Sequence, residues 1–378
     1  MRVAFDASSI GSGLGGDETM ARALVRALVR GAGPDDEIDL LFAAGVQPDV
    51  DRASAHVRAT VEPRSGGPRH FLRDLPRWVG GLMPTPEVLV SLTHAPCGGG
   101  VPVALMVPDL SFEHLGDAFP RPTRLRLRSI VRRQVRRAAG VLTISEFCRS
   151  DLISTYGLGS DVVHHVPLHV DPPEHAPQAD ELDELRRRLD LADPFVLYVG
   201  NLHPRKNLPA AVDAVRGARR RCPALADHRF VVAGATWWGS EAHPGGADDW
   251  VRFLGRVSDD DRHLLVHAAE ALIYPSRFEG FGLPPLEAMA RGTPVVASNA
   301  TSIPEVCGDA ALLVDPDDID GMADALVRAT TDDPVRSSLI AAGHRRARHY
   351  SVERTAHGLW EALRAIALEP APIPAPTR

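Results

Sequence analysis

Lysine is almost absent from this sequence. Lys206 is the single lysine among the 42 lysines and arginines of the 378-residue chain. Acidic residues outnumber the basic ones, and the formal net charge is −7. A generic nucleic-acid binder carries a basic surplus that neutralises phosphates. The composition therefore argues against nucleic acid as a partner, and it leaves open a small anionic ligand at a local basic site.

Cysteine is scarce as well, and long apolar runs are missing. Cys97, Cys148, Cys222 and Cys307 are isolated, with no CxxC pair and no His/Cys cluster at metal-ligand spacing. We expect reduced thiols, no metal site and a cytoplasmic protein. No window approaches eighteen apolar residues, and the apolar run in MRVAFDASSI is too short for a signal peptide. The sequence predicts no membrane span.

Short apolar runs alternate with helical periodicity along the whole chain. This pattern is typical of βα units around parallel sheets that are buried on both faces, so the predicted fold class is α/β. A first helix is predicted at 18–30. Strands are predicted at 3–7, 38–43, 88–92, 103–107, 141–144, 195–199, 230–233, 271–274, 294–297 and 311–314.

A proline-rich segment, HVPLHVDPPEHAPQAD at 165–180, cannot continue a helix and predicts a linker. The length of 378 residues also favours two domains over one core. We expect doubly wound, Rossmann-like domains at 1–175 and 176–350, and a C-terminal helix at 351–368 that can cross back to the first domain. A disordered tail is predicted at 369–378. Because ligands bind at the carboxyl ends of such strands, a cleft between the domains is the predicted site.

The motif with most chemical content is ALIYPSRFEGFGLPPLEAMARGTPVVAS at 271–298, which predicts a strand, a glycine-containing turn and a helix that opens with proline. The free N–H groups of Phe281, Gly282 and Leu283 are expected to face an anion at the helix N-terminus. The predicted site is therefore one for phosphate.

Glu279 and Glu287 flank that predicted anion site. Two carboxylates would repel a phosphate, unless each faces hydroxyl groups on either side of it. A nucleotide sugar, with a hexose, a diphosphate and a ribose, has this layout. The alternative is that Glu287 caps its helix and that Glu279 is a solvated loop residue.

The EGFGLPPLEAM string resembles the corresponding segment of retaining glycosyltransferase family four, which has the GT-B fold. YVGNLHPRKNL and SIPEVCGDAALLVDPDD are similar to further family segments. The resemblance implies a retaining, metal-independent transfer of sugar from a nucleoside-diphosphate sugar to a hydroxyl acceptor, a small polar natural product or a glycan, with no separate cofactor. Domain 1–175 would be the acceptor side, and 176–350 would bind the nucleotide sugar. Glu279 would contact the donor sugar near its anomeric centre, and Glu287 would hold the ribose diol.

Lys206 gains a role from this resemblance. A leaving diphosphate needs cations, and lysine supplies a compact charge with three donors where Arg205 offers a planar fork. Asn201, a donor-site residue, stands where many relatives have arginine, so the phosphate cations reduce to Arg205 and Lys206. The alternative is a surface lysine without a role.

The first half of the chain contains further candidate site residues. The glycine loop DASSIGSGLGGDETM places Gly15 and Gly16 at the start of a predicted helix, as candidates for the donor phosphate or the acceptor cleft. His94 and Asp109 follow predicted strands, where a structural role in satisfying loop N–H groups is the alternative. Pro108 stands where many relatives have a histidine that contacts the donor sugar, which raises the hypothesis of a deoxysugar donor.

Several alternatives stay open. The arginine-rich helix predicted at 121–140 is either a solvated face or a membrane-docking surface, and the abundance of arginine favours the first. The rival functions are a GT-B epimerase or phosphorylase and a catalytically silent partner that binds a nucleotide sugar. The nucleotide base and the acceptor are not readable from the sequence.

Overall fold

The computed structural model describes residues 1–12, 15–46, 56–62, 69–92, 94–96, 100–173, 175–235 and 248–368. The chain divides into two compact units. The first consists of Met1–His169 and Ser351–Arg378, and the second is Val170–Tyr350. The division after His169 falls inside the segment that predicts a linker. Cys97 and the tail predicted at 369–378 lie outside the described residues.

The first unit contains a parallel sheet of seven strands in the order β3-β2-β1-β4-β5-β6-β7. Its strands are β1 Arg2–Asp6, β2 Glu37–Ala43, β3 Val57–Glu62, β4 Val88–Leu92, β5 Val103–Met106, β6 Gly140–Thr143 and β7 Val163–His165. Its helices are α1 Gly16–Arg30, α2 Leu75–Gly81, α3 Ser111–His114, α4 Arg121–Val135, α5 Glu146–Tyr156 and the C-terminal α13 Val352–Leu368. A π-helical turn, His70–Asp74, precedes α2.

The C-terminal helix α13 belongs to this unit because it packs on α1. Trp360 is 2% exposed, and its indole N–H donates to the carbonyl of Leu28 at 3.0 Å. A side chain at Gly31 would collide with the Trp360 ring, since a Cβ there would lie 2.6 Å from it. The last described helix is thus fixed to the first one by a buried aromatic residue.

The second unit contains a parallel sheet of six strands in the order β10-β9-β8-β11-β12-β13. Its strands are β8 Phe195–Val199, β9 Arg229–Ala233, β10 Val251–Gly255, β11 Ala271–Tyr274, β12 Val295–Ser298 and β13 Leu312–Val314. Its helices are α6 Ala179–Leu189, α7 Leu208–Arg221, α8 Asp259–Ala268, α9 Leu283–Ala290, α10 Ile303–Cys307, α11 Ile319–Thr331 and α12 Asp333–His349.

Three neighbouring strands of the second sheet place the candidate site. Strands β8, β11 and β12 are adjacent and parallel, so the loops that follow them leave from the same edge. All residues of these three strands are buried, which explains their continuous apolar sequences. The α/β fold class predicted from the sequence is confirmed.

Candidate active site

Two basic residues and one carboxylate meet at the carboxyl edge of the second sheet. The loop after β8 ends in a short 3₁₀ turn, Pro204–Lys206, and the loop after β11 contains Glu279. Nη1 of Arg205 donates to Oε2 of Glu279 at 3.1 Å. Nζ of Lys206 lies 2.6 Å from Oε1 of Glu279, in an ion pair. The structure therefore brings together the three residues to which the sequence assigned the diphosphate and the donor sugar.

The 3₁₀ turn is held by its own side chains. His203 accepts a hydrogen bond from the backbone N–H of Arg205 through Nδ1, at 3.2 Å. Asn207 ends the turn with a φ of 55°, a left-handed conformation that asparagine tolerates better than most residues. Its amide donates to the carbonyl of Pro316 at 2.8 Å. Asn201, predicted as a donor-site residue, lies earlier in this loop and is partly exposed.

A glycine at the end of β9 allows the β8 loop to take this path. A Cβ on Gly234 would lie 1.8 Å from the carbonyl oxygen of Gly200, closer than any real contact. The two backbones therefore approach each other only because position 234 has no side chain. This contact fixes the start of the loop that carries Lys206.

The backbone of Glu279 is held by the loop that follows β12. Oγ1 of Thr301 accepts from the N–H of Glu279 at 3.0 Å, and Oγ of Ser302 donates to the Glu279 carbonyl at 2.9 Å. Thr301 has a φ of 55°, an outlier for a β-branched residue that costs about 1–3 kcal/mol. Strain of this kind persists where neighbouring contacts fix the conformation. Both residues lie in SNATSIPE, whose role in this site the sequence analysis missed.

Glu279 is ionised and almost fully buried, with 5% of its surface exposed. Burial alone raises the pKa of Glu279, but the charges of Arg205 and Lys206 more than offset burial and lower the pKa to about 2. The alternative of a solvated loop residue is therefore wrong. The three side chains together carry one positive charge near pH 7, which suits an anionic ligand.

Tyr274, the last residue of β11, lies beside this cluster. Its Oη accepts a hydrogen bond from Nζ of Lys206 at 2.5 Å, and Nζ lies 4.8 Å from the centroid of its ring. Burial first, and the charge of Glu279 second, raise the pKa of Tyr274 well above 10. The phenol is therefore neutral at physiological pH. The sequence analysis missed this residue, because a tyrosine in a buried strand is indistinguishable from other core aromatics.

The turn before α9 has the geometry expected of an anion-binding helix N-terminus. Gly282 has a φ of 110°, and a Cβ there would lie 2.7 Å from Ile303, so only glycine fits. In the part of the chain that the structure describes, the N–H groups of Phe281, Gly282 and Leu283 donate to no other protein group. The Phe281 ring packs edge to face on Tyr350 with centroids 5.3 Å apart, so this residue offers its backbone to a ligand.

Glu287 lies inside α9 and forms an ion pair with Arg262 of α8. Both side chains are largely buried. Burial lowers the pKa of Arg262, but the charge of Glu287 more than offsets this and raises it. The alternative in which Glu287 caps the helix is wrong, because the helix begins four residues earlier. The sequence analysis also missed Arg262, which lies in the first turn of α8.

The remaining predicted site residues belong to the first unit, where they follow the neighbouring strands β1, β4 and β5. Gly15, with a φ of 48°, and Gly16 begin α1. His94 stacks on Phe71 with ring centroids 5.0 Å apart, and burial, followed by the charge of Arg126, lowers its pKa. Oδ1 of Asp109 accepts from the N–H of Ser111 at 2.8 Å. This contact supports the alternative in which Asp109 satisfies a loop N–H group.

The same edge of the first sheet carries a buried polar cluster that the sequence analysis missed. Nε2 of His70 lies 2.9 Å from Oδ2 of Asp6 and 3.2 Å from Oγ of Ser8. All three side chains are more than nine-tenths buried. His70 is located in the π-helical turn, a feature that often occurs at functional sites.

Neither a metal-ligand cluster nor a membrane-spanning helix occurs in the part of the chain that the structure describes. Among residues 1–368, less the undescribed gaps, no three His, Cys, Asp or Glu side chains converge in a way that could hold a metal ion. Over the same ranges, every helix is too short or too polar to cross a membrane. Cys148, Cys222 and Cys307 are free thiols, as expected.

Comparison with known proteins gives matches over the second unit and over the whole fold. Residues 193–332 match the family model described as glycosyl transferases group 1. O-antigen chain mannosyltransferase B of Escherichia coli is 34% identical over 223 residues, which are 56% of this chain and 57% of that protein. The D-inositol 3-phosphate glycosyltransferase of Salinispora tropica is 36% identical over 230 residues, 55% of this chain and 47% of that protein. The chain thus spans about half the length of these curated relatives.

Solved structures match almost the entire chain. HepE of Anabaena, crystallised with UDP and glucose, superposes with a TM-score of 0.72 at 19% identity, covering 96% of this chain and 99% of that one. WaaG, a glycosyltransferase involved in lipopolysaccharide biosynthesis, superposes with a TM-score of 0.67 at 17% identity, over 94% and 97%. At these identities the likeness shows the fold. The resemblance found in the motifs is thereby confirmed: the chain has the GT-B fold, and its residues 193–332 match the glycosyl transferases group 1 model.

Proposed function

We propose that this protein is a retaining, metal-independent glycosyltransferase, which moves a sugar from a nucleoside-diphosphate sugar to a hydroxyl acceptor such as a small polar natural product or a glycan. The observation that carries the proposal is the cluster of Arg205, Lys206 and Glu279 at the carboxyl edge of the second sheet. HepE, which shares the fold, was crystallised with UDP-glucose. The family match over 193–332 covers this same cluster.

The charges in the cluster suit a departing diphosphate. As the bond from the sugar to the phosphate breaks, negative charge grows on the leaving group, and fixed cations in a shielded site stabilise it. Arg205 supplies a planar fork and Lys206 a compact ammonium. The N-terminus of α9 adds the equivalent of about half a positive charge. These groups would perform the role that a metal ion has in other transferases.

The two glutamates would hold the hydroxyl groups on either side of the diphosphate. Glu279 would accept hydrogen bonds from the donor sugar near its anomeric carbon, because its low pKa keeps it ionised and its backbone is fixed. Glu287, oriented by Arg262, would accept from the ribose diol. Asn201 would complete the donor site.

The first unit would supply the acceptor side. Gly15 and Gly16 would approach the donor phosphate or the acceptor, and His94 and Asp109 would contact the sugar or the acceptor. Pro108 removes the histidine with which many relatives contact the sugar, which favours a deoxysugar donor. The mannosyltransferases among the relatives make GDP-mannose the main competitor for this assignment.

The test is a thermal-shift and donor-turnover screen over UDP-, GDP- and dTDP-sugars, with deoxysugar donors included. We expect the wild type to be stabilised by one nucleotide class and to consume its sugar donor. Lys206→Ala should weaken both responses, and Glu279→Ala should lose turnover. Binding without turnover in the presence of varied acceptors would favour the silent partner, and turnover that only changes the sugar would favour the epimerase. A preference for GDP-mannose or UDP-glucose would refute the deoxysugar assignment.

A further inference from the structure

We propose that Tyr274 is a positioning residue, which holds the ammonium of Lys206 in place for the diphosphate of the donor. The inference deepens the proposed function and rests on it. Its basis is the contact already described, in which Oη of Tyr274 accepts from Nζ of Lys206 at 2.5 Å while the same Nζ lies 4.8 Å from the ring centroid.

A neutral partner can hold this lysine in a way that Glu279 cannot. Glu279 is an anion, so it competes with a diphosphate for the same ammonium. The phenol of Tyr274 carries no charge, and its oxygen accepts a hydrogen bond from the ammonium. The contact with Tyr274 therefore persists when phosphate oxygens arrive, whereas the ion pair with Glu279 is then shared with them.

The strand gives Tyr274 the rigidity that the role requires. Its side chain has no exposed surface, and its neighbours in β11 pair with β8 on one side and β12 on the other. Lys206, in contrast, sits on a 3₁₀ turn and has a flexible four-carbon side chain. The rigid partner thus limits the positions of the flexible one, which is how positioning groups raise catalytic rates.

The chain offers a matched control on the neighbouring strand. Tyr198 in β8 is as fully buried as Tyr274, but its hydroxyl has no hydrogen-bond partner among the described residues. Tyr274→Phe and Tyr198→Phe therefore remove the same oxygen from equally buried sites. Only the first change removes a contact with Lys206.

The experiment measures the binding of UDP, GDP and dTDP by calorimetry, together with donor turnover. Tyr274→Phe should weaken binding of the preferred diphosphate about tenfold, the loss expected for one hydrogen bond to a charged group, and should lower kcat. Tyr198→Phe should bind and turn over as the wild type does. In a Lys206→Ala background, Tyr274→Phe should have no further effect, because a positioning residue acts through the group that it holds.

A second measurement needs no substitution, because Lys206 is the only lysine in the chain. Protein labelled with ¹³C at the lysine ε-carbon should give one signal, which is shifted by the Tyr274 ring and keeps that shift when diphosphate is added. A signal at the position of free lysine would overturn the inference. So would an unchanged affinity in Tyr274→Phe, or a further loss in the double variant. A wild type that binds none of UDP, GDP and dTDP would overturn the proposed function as well.

Discussion

Replacing Glu279 with glutamine removes the one negative charge from a buried cluster that retains two positive charges. The pKa of Glu279 falls from 4.5 to about 2 on folding, because Arg205 and Lys206 outweigh the effect of burial. At about 1.4 kcal/mol per pKa unit, the ionised carboxylate contributes about 3 kcal/mol to the free energy of unfolding. Breaking a buried ion pair costs a similar amount, about 3–5 kcal/mol. We expect Glu279→Gln to lower the melting temperature of the ligand-free protein by at least about 6 °C.

A nucleoside diphosphate should reverse this loss. In Glu279→Gln, Arg205 and Lys206 no longer share their charge with a carboxylate, so the phosphates meet two uncompensated cations. The variant should therefore bind UDP or GDP more tightly than the wild type and gain more melting temperature from it, while its sugar transfer falls. The assays are calorimetry and differential scanning fluorimetry. Glu353→Gln, which removes an exposed partner of Arg30, is the control and should change neither quantity.

Either of two results would contradict the expectation that Glu279 competes with phosphate for Arg205 and Lys206. Weaker diphosphate binding in Glu279→Gln would mean that the carboxylate assists the phosphates, for example by holding the cations in place. Unchanged stability in the ligand-free variant would mean that the cluster contributes no net ion-pair energy.

Three further predictions concern neighbouring groups. Lys206→Arg keeps the charge but not the compact geometry, so donor turnover should fall at least about tenfold. The free energy of unfolding should change by less than about 1 kcal/mol. Turnover at the wild-type rate would contradict this prediction. Thr301→Val leaves the N–H of Glu279 without an acceptor and should lower the free energy of unfolding by about 1–3 kcal/mol. Thr301→Ser keeps the hydroxyl and should lower it by less than about 1 kcal/mol. Equal losses in thermal unfolding of the two variants would contradict the contact. The difference in unfolding free energy between the wild type and Glu279→Gln should be constant above about pH 5 and should shrink as the pH falls from 4.5 towards 2. The reason is that the lowered pKa of Glu279 stabilises the fold only while the carboxylate is ionised. Acid unfolding curves of the two proteins that stay parallel at every pH would contradict this.

Most strands were predictable because they are buried on both faces. All ten predicted strands are present, with ends that differ by at most one residue. Three strands were missed, namely β3, β7 and β10. β3 and β10 are edge strands of the two sheets, and all their residues are partly or fully exposed. They therefore lack the continuous apolar run that marks a buried strand. β7 has only three residues.

The site was predictable where a motif is contiguous and unpredictable where the sheet assembles it. Arg205, Lys206 and Glu279 stood out because each lies in a short, distinctive string. Thr301 and Tyr274 did not, because their roles depend on β11 lying between β8 and β12, an order that a single sequence does not specify. The two groups of residues differ for a physical reason: strand order, and not spacing along the chain, decides which loops form hydrogen bonds with each other.

Lys206 and its neighbours are proposed to stabilise the diphosphate that leaves a sugar donor. The most direct measurement is the rate of nucleoside-diphosphate release from UDP-, GDP- and dTDP-sugars, for the wild type and for Lys206→Ala, in protein whose folding is checked by thermal unfolding. We expect the wild type to release diphosphate from at least one donor class, and the folded variant to do so at a rate lower by about a hundredfold or more. Release at equal rates by the two proteins, or by neither, would contradict it.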